Sequence, residues 1–294
     1  MTRHPRRIRD LAVFLEAVYL RFHRSATVSE DPLSIPSAYG DPLDREVMGF
    51  VASAFAFGRV SAFMAKLSCV VDRLGDHPAA RMAGLDAAGC REVASGLRHR
   101  FVGEDEIASL LLGLSHVVRG SGGLEPPFLR GFGPTGDVMD GLESLVAELW
   151  PPPEPTDLPG PGFLVASVRS GSPLKRFNLF LRWMVRDDGI DLGLWKGVPP
   201  SALLIPLDTH VDRIAQHLGI LPRRRSGPRL AHAVALTRAL REIDPEDPAR
   251  FDFALSHLGI SGQCRGRFHD AVCADCPLEA ACRVAVGGVS SRSR

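Results

Sequence analysis

Lysine is almost missing from this chain. Of its 294 residues only Lys66, Lys175 and Lys196 are lysines, so arginine carries nearly all the positive charge. Chemistry that needs a side-chain amine therefore has three candidates. Long apolar runs are missing too. No stretch reaches the ~18 uninterrupted apolar residues expected of a membrane-crossing helix, so no membrane partner is expected. The Arg-rich start leads into a charged, amphipathic stretch rather than the plain apolar run of a secretory signal. A cytoplasmic protein with reduced thiols is the expectation. The formal net charge is only +1, so total charge announces no nucleic-acid partner. Sustained apolar–polar alternation is absent, which argues against strands, and no internal repeat is evident.

Positive charge is clustered, however. Arg3, Arg6, Arg7 and Arg9 form one group, Arg223, Arg224, Arg225 and Arg229 a second, and Arg265 and Arg267 a third. Local patches of this kind bind phosphate even when total charge is near zero, although any one of them can equally be solvated surface.

Helical periodicity dominates the apolar pattern. Ile8, Leu11, Leu15, Val18 and Phe22 predict a helix over about 6–24. Asp44 can cap a helix carrying Val47, Phe50, Val51, Ala54 and Phe55. Further helices are predicted at about 60–74, 87–100, 104–118 and 137–149. The Gly/Pro-rich stretches Arg119–Gly136 and Pro151–Gly162 read as loops or lids. Ser172 and Pro173 suit the cap and first turn of a helix with a buried stripe of Leu174, Phe177, Leu181 and Met184. Lys175, Asn178, Arg182 and Arg186 fall on another face. Lys175 and Arg176 then lie in the first turn, where the helix dipole disfavours cations. Residues set against that field are candidates to meet an anion or to react. Asp208 caps a helix with Val211, Ile214 and Leu218 inward, ending at Gly219.

Cysteine is concentrated as metal ligation requires. Only Cys69 and Cys90 lie outside the run Cys264-x8-Cys273-x2-Cys276-x5-Cys282. Four thiolates can enclose an iron–sulfur cluster or a zinc ion. Structural zinc sites usually show two close pairs. A single pair with two outlying cysteines suits a [4Fe–4S] cluster better, with Zn2+ as the alternative and His269 a lesser ligand candidate.

Pro206-Leu-Asp-Thr-His-Val-Asp-Arg213, the four cysteines and the segment Phe251–Gly259 together resemble the helix-hairpin-helix DNA glycosylase superfamily. The likeness is to its endonuclease III-like branch with a C-terminal cluster. It is specific over about 172–283 and only patterned, helix by helix, before that. It implies an all-α, two-lobed fold with a four-cysteine cluster loop. The expected divisions are 1–43, packing with the C-terminal lobe; 44–205, a bundle with an atypical hairpin; 206–283, the cluster lobe; and a disordered tail, 284–294.

The family's catalytic aspartate falls on Asp208. The stretch Gly189–Pro199 is longer than the family's tight hairpin and carries Lys196. Lys175, 33 residues before Asp208, is similar to the lysine of archaeal 8-oxoguanine glycosylases, an atypical branch. The resemblance therefore implies a DNA N-glycosylase and AP lyase with Lys175 as nucleophile, Lys196 as second choice, and an oxidised purine as a possible lesion. The alternative is a non-catalytic iron–sulfur DNA-binding protein that retains the fold. The expected partner is double-stranded DNA with a lesion, bound by a monomer associated with the nucleoid. DNA contacts are expected from Arg176, Gly189, Gly193, Gly197, Arg213, Arg265 and Arg267. Trp195, Phe128 or Phe132 are candidates to stack on a base, though packing is their commoner use.

Overall fold

The structure, a computed structural model, describes residues 8–24, 28–29, 31–152 and 155–285. Arg3, Arg6 and Arg7, and the tail from 286 onward, lie outside the described residues. Within them the chain is all-helical, with no strand and one isolated bridge, His99 with Val102. No single described helix is long and apolar enough to cross a membrane.

The helices are α1 (Ala12–Phe22), α2 (Ser34–Ser37), α3 (Pro42–Phe55), α4 (Val60–Leu74), α5 (Pro78–Ala83), α6 (Ala87–Ala94) and α7 (Glu104–Ser121). They continue with α8 (Glu125–Thr135), α9 (Val138–Leu149), α10 (Lys175–Val185), α11 (Thr209–Leu218), α12 (Leu230–Arg241), α13 (Asp252–Ile260) and α14 (Asp270–Cys273). The chain divides into two compact units. One comprises 1–27, 171–178 and 199–294, and the other 28–170 and 179–198.

The first unit has a core of its own. Leu11, Leu15 and Val18 of the N-terminal segment pack with Val211 and Ile214 of α11, Leu236 and Leu240 of α12, and Phe251 and Leu258 around α13. Cys264 and Cys276 lie against the edge of this core. Arg250 reaches back to α1, its guanidinium 2.5 Å from Glu16 and over the ring of Tyr19.

The second unit is built around α3 and α7. The cap of α3 is Asp41, with Pro42 next, and not Asp44 as the sequence suggested; Asp41 Oδ1 accepts the N–H groups of Leu43 and Asp44. Asp44 is instead buried and accepts the Ala79 N–H at 2.8 Å, joining α3 to α5.

The larger difference is α8, which occupies the stretch that reads as a loop. Its glycines and prolines do not act as breakers. Pro126 and Pro127 sit in the first turn, where a missing N–H costs nothing. Gly131 lies so close to the backbone carbonyl of Asp140 that a Cβ would collide with it, and a Cβ on Gly141 would lie 2.6 Å from the Phe128 ring. The helix propensity lost at these glycines is about 1 kcal/mol each; the close approach of α8 and α9 offsets it.

Candidate functional site

Three parts of the chain carry the candidate residues: the approach to Lys175, the cap at Asp208, and the cysteine loop. All three belong to the first unit.

α10 begins at Lys175, later than Ser172 and Pro173 suggested. The reason is Leu174, a buried, non-glycine residue at φ +49°, outside the helical region. Such a conformation costs about 1–3 kcal/mol and persists only where surrounding contacts enforce it. Its carbonyl accepts the Asn178 N–H at 2.9 Å, so helical bonding starts there. Lys175 is thereby the first helical residue, partly exposed. Burial pushes the neighbouring Arg176 guanidinium down to about 10. Asn178, one turn on, donates to the Pro173 carbonyl at 3.2 Å, while its side-chain oxygen is buried with no hydrogen-bond partner.

Asp208 caps α11 as expected. One carboxylate oxygen, Oδ1, accepts both the His210 and Val211 N–H groups, at 2.8 and 2.7 Å, which leaves Oδ2 uncommitted. Asp208 is half-buried. α12 holds the segments leading to both groups. The Leu230 N–H donates to the Gly171 carbonyl at 3.1 Å, and Thr237 Oγ1 accepts the Ile205 N–H at 3.0 Å. Arg241 adds a bond to the Ser201 carbonyl at 2.8 Å. At 1.5 Å rise per residue, the Gly171 and Ile205 anchor points on α12 lie about 10 Å apart. One rigid element therefore frames the chain four residues before Lys175 and three before Asp208.

Arg213 was among the residues expected to contact DNA. It instead donates to the Cys264 carbonyl at 2.9 Å and lies 3.2 Å from His210 Nδ1. Its stem packs against Gly266 so closely that a Cβ there would approach it to 2.7 Å. Arg213 thus fastens the start of the cysteine loop to α11. Arg265 and Arg267, on the same loop, are exposed.

The four thiols of this loop are partly buried and share one electrostatic neighbourhood. Burial raises the Cys276 thiol, and the nearby Cys264, Cys282 and Cys273 add to the effect. Cys282 is raised in the same way by burial, then by Cys264 and Cys273. Backbone N–H groups oppose this by favouring thiolate: Leu278 on Cys276, and Val284 and Ala285 on Cys282. The His269 N–H also lies 3.4 Å from Cys273 Sγ. Among the described residues no group of three or more His, Cys, Asp or Glu converges as a ready-made ligand set. The loop therefore matches a metal centre in donor type and in N–H groups turned toward sulfur, but its ligands do not converge.

The segment 187–198, in the second unit, is built differently. Leu192 and Gly193 N–H groups both donate to the Trp183 carbonyl, at 2.8 and 3.2 Å. Gly193 is required by its φ of +58° and by the Asp187 Cβ, 2.6 Å from where its own would stand. The Gly197 N–H donates to Glu125 Oε1 at 3.3 Å. Of the three glycines expected to approach a phosphate, only Gly189 is an exposed left-handed position with open space around it.

Lys196 is exposed and pairs with Asp187 at 3.1 Å. Trp195 is buried, donates to Glu46 at 2.5 Å and packs on Phe128 and Phe180. Phe128 and Phe132 are buried and stack on each other. None of the three aromatics is presented to a base; they are core.

Sequence reasoning missed one feature altogether. Arg182 and Arg186 do not form a solvated face but are buried. Asp191 receives Arg182 Nε at 3.2 Å and Arg186 Nη1 at 2.5 Å. The i, i+4 spacing of the two arginines was visible, but not that the loop folds back to supply their acid.

The family model described as "Protein of unknown function (DUF2400)" matches residues 31–261. The chain belongs to the DUF2400 family. The matched span takes in Lys175, Lys196 and Asp208 and ends just before Cys264, so the DUF2400 match does not extend over the four cysteines. No curated protein and no solved structure matches the chain.

Proposed function

We propose that the chain is a helix-hairpin-helix-type DNA glycosylase with AP-lyase activity, using Lys175 and Asp208 on a damaged base in double-stranded DNA. The reading rests above all on α12, which anchors the segments leading to both residues. Three further features agree with it. The backbone is strained immediately before Lys175. An unpartnered buried oxygen lies one turn beyond, on Asn178. Asp208 has a carboxylate oxygen not engaged in capping. Strained backbone and unsatisfied polar atoms concentrate at functional sites.

The chemistry follows from these residue types. The target nucleotide is turned out of the stack, at a cost of a few kcal/mol that is least for a lesion. As the C1′–N bond breaks, the base leaves with the bonding electrons and takes up a proton. Positive charge develops at C1′ and O4′, and Asp208 Oδ2 stabilises it as a fixed anion. The unprotonated Lys175 amine forms the new bond to C1′. Loss of its protons and opening of the sugar ring give a Schiff base. A proton is then lost from C2′ and the 3′ C–O bond breaks, cleaving the strand. Cys264, Cys273, Cys276 and Cys282 would hold a [4Fe–4S] cluster, or Zn2+ in its place. Either would cross-link the loop that presents Arg265 and Arg267 to phosphate.

Borohydride trapping on duplexes carrying a panel of damaged bases tests the proposal. Wild-type protein is expected to form a covalent adduct with at least one lesion, Lys175→Ala none, and Lys196→Ala as much as wild type. An adduct that survives Lys175→Ala and disappears in Lys196→Ala would assign the wrong amine. Absence of both adduct and released base, with duplex binding intact, would leave the non-catalytic binding protein.

A further inference from the structure

Phe101 and Phe163 are the only exposed Phe, Trp or Tyr residues among those described, at 57% and 44% exposure. They are far apart in sequence yet pack edge to face, with ring centroids 4.8 Å apart and planes at 79°. Phe57, half-buried, completes the cluster, 4.9 Å from Phe163 and 5.9 Å from Phe101. All three lie in the second unit, whereas Lys175, Asp208 and the cysteine loop belong to the first.

The backbone works to keep this cluster outward. His99 and Val102 exchange both backbone bonds at 3.0 Å, closing a tight turn that holds Arg100 at φ +57°. Left-handed backbone at a bulky residue is uncommon and needs enforcement. Here the enforcement includes the His99 ring, whose Nε2 lies 2.7 Å from the Phe57 carbonyl. The strained residue stands directly before the exposed Phe101 ring.

The rim of the cluster is basic. Arg59, Arg98 and Arg100 are all exposed. The Arg100 guanidinium lies 5.9 Å from the Phe101 ring, and its stem packs on Gly58, next to Arg59. Arg98 Nε donates to the Arg100 carbonyl at 3.3 Å. The acids that follow the turn have partners of their own: Glu104 accepts the Gly96 N–H, Glu106 the Gly103 N–H, and Asp105 lies 3.7 Å from Arg91. Burial holds the His99 ring below its ordinary value, and the cations of Arg100 and Lys66 add to that, against the Phe57 carbonyl.

Exposed rings inside a cationic rim match one partner chemistry well: a base, whose faces stack, carried on a phosphate backbone. An apolar protein surface would not call for the arginines, and a bare phosphate would not call for the rings. We infer that Phe101 and Phe163, with Arg98, Arg100 and Arg59, form a platform for unpaired nucleic acid that stacks an exposed base. The platform goes beyond the reaction proposed above, because it requires neither a lesion nor Lys175.

The test is binding of wild-type protein to an undamaged, labelled single strand of about 12 nucleotides, followed by anisotropy. The Phe101→Ala/Phe163→Ala variant is expected to bind about ten-fold or more weakly. Phe101→Leu/Phe163→Leu, which keeps the apolar bulk and guards against misfolding, is expected to lose a similar factor because the π faces are gone. Arg98→Gln with Arg59→Gln is expected to lower the slope of log affinity against log salt by about 0.7 for each phosphate no longer neutralised. Photocross-linking of wild-type protein to a halogenated pyrimidine strand should label Phe101 or Phe163. Leu variants that bind as wild type, or cross-links confined to other elements, would overturn the inference. It can fail while borohydride trapping succeeds, and the reverse.

Discussion

Two segments of this chain were expected to contact DNA, and they are built to opposite ends. Residues 187–198, the exposed Asp187, Gly189 and Lys196 apart, commit their polar candidates to the fold. Gly193 and Gly197 N–H groups are bonded within the unit, Trp195 is buried on Glu46, and Asp191 holds two buried arginines. Residues 264–282 turn theirs outward or toward one another. Arg265 and Arg267 are exposed, the thiols lie within electrostatic reach of one another, and N–H groups face sulfur. Glycines and charges in a loop do not by themselves mark a ligand site. What decides is whether the fold has already engaged them.

The sharpest way to break this comparison is Asp191→Ala. It would remove the buried carboxylate that Arg182 and Arg186 share, both at about 2% exposure, leaving Arg186 its contact with Asp188. Breaking a buried pair in this way costs about 3–5 kcal/mol, so the denaturant midpoint should fall steeply. A change below about 1 kcal/mol in denaturant melts would show that the segment is not a structural element.

Asp208 should separate two roles in one residue. Asp208→Ala removes the α11 cap and is expected to cost about 1 kcal/mol. Asp208→Asn keeps an equivalent cap, so it should melt as wild type does and yet lose adduct formation. If the asparagine variant traps normally, the carboxylate is only a cap and the chemistry lies elsewhere.

These outcomes bear on what the sequence made legible. Local rules located Asp208 and Gly219 at the ends of α11, and the apolar stripe Phe177, Leu181, Met184 on α10, because caps and periodicity are read within a few residues. α8 was missed because Gly131 and Gly141 act through a partner helix, which no local rule contains. The start of α10 was misjudged because the left-handed Leu174 is imposed by its surroundings. The ion pairs of Arg182 and Arg186 were missed for the same reason: charge pattern tells where a side chain sits on its helix, not what folds back to meet it. Of the candidate site, the residue types and the cap were legible; the frame that α12 provides was not.

A smaller effect should appear with pH. Burial, then Arg213 and Arg223, lower the His217 ring below its ordinary value. The unfolded chain then binds its proton more readily than the folded one, so stability is lost as pH falls below about 6.5. The loss is complete once pH is below the folded value. Removing this group by His217→Gln should flatten the fall in melting temperature between about pH 7.5 and 5.5. A fall equally steep in the variant would assign it to other groups.

The least change in stability is expected where the comparison predicts the most change in binding. Arg265→Gln with Arg267→Gln alters two exposed side chains and should stay within about 0.5 kcal/mol of wild type in denaturant melts. Duplex affinity should nevertheless drop, with the salt slope reduced by about 1 for each phosphate that the pair had neutralised. Lys196→Ala, whose exposed partner is Asp187, should change neither, since it lies on the segment whose polar groups serve the fold. Were Lys196 to govern the salt slope and the two arginines not, the assignment of the two segments would be reversed, and nucleic acid would contact residues 187–198 instead.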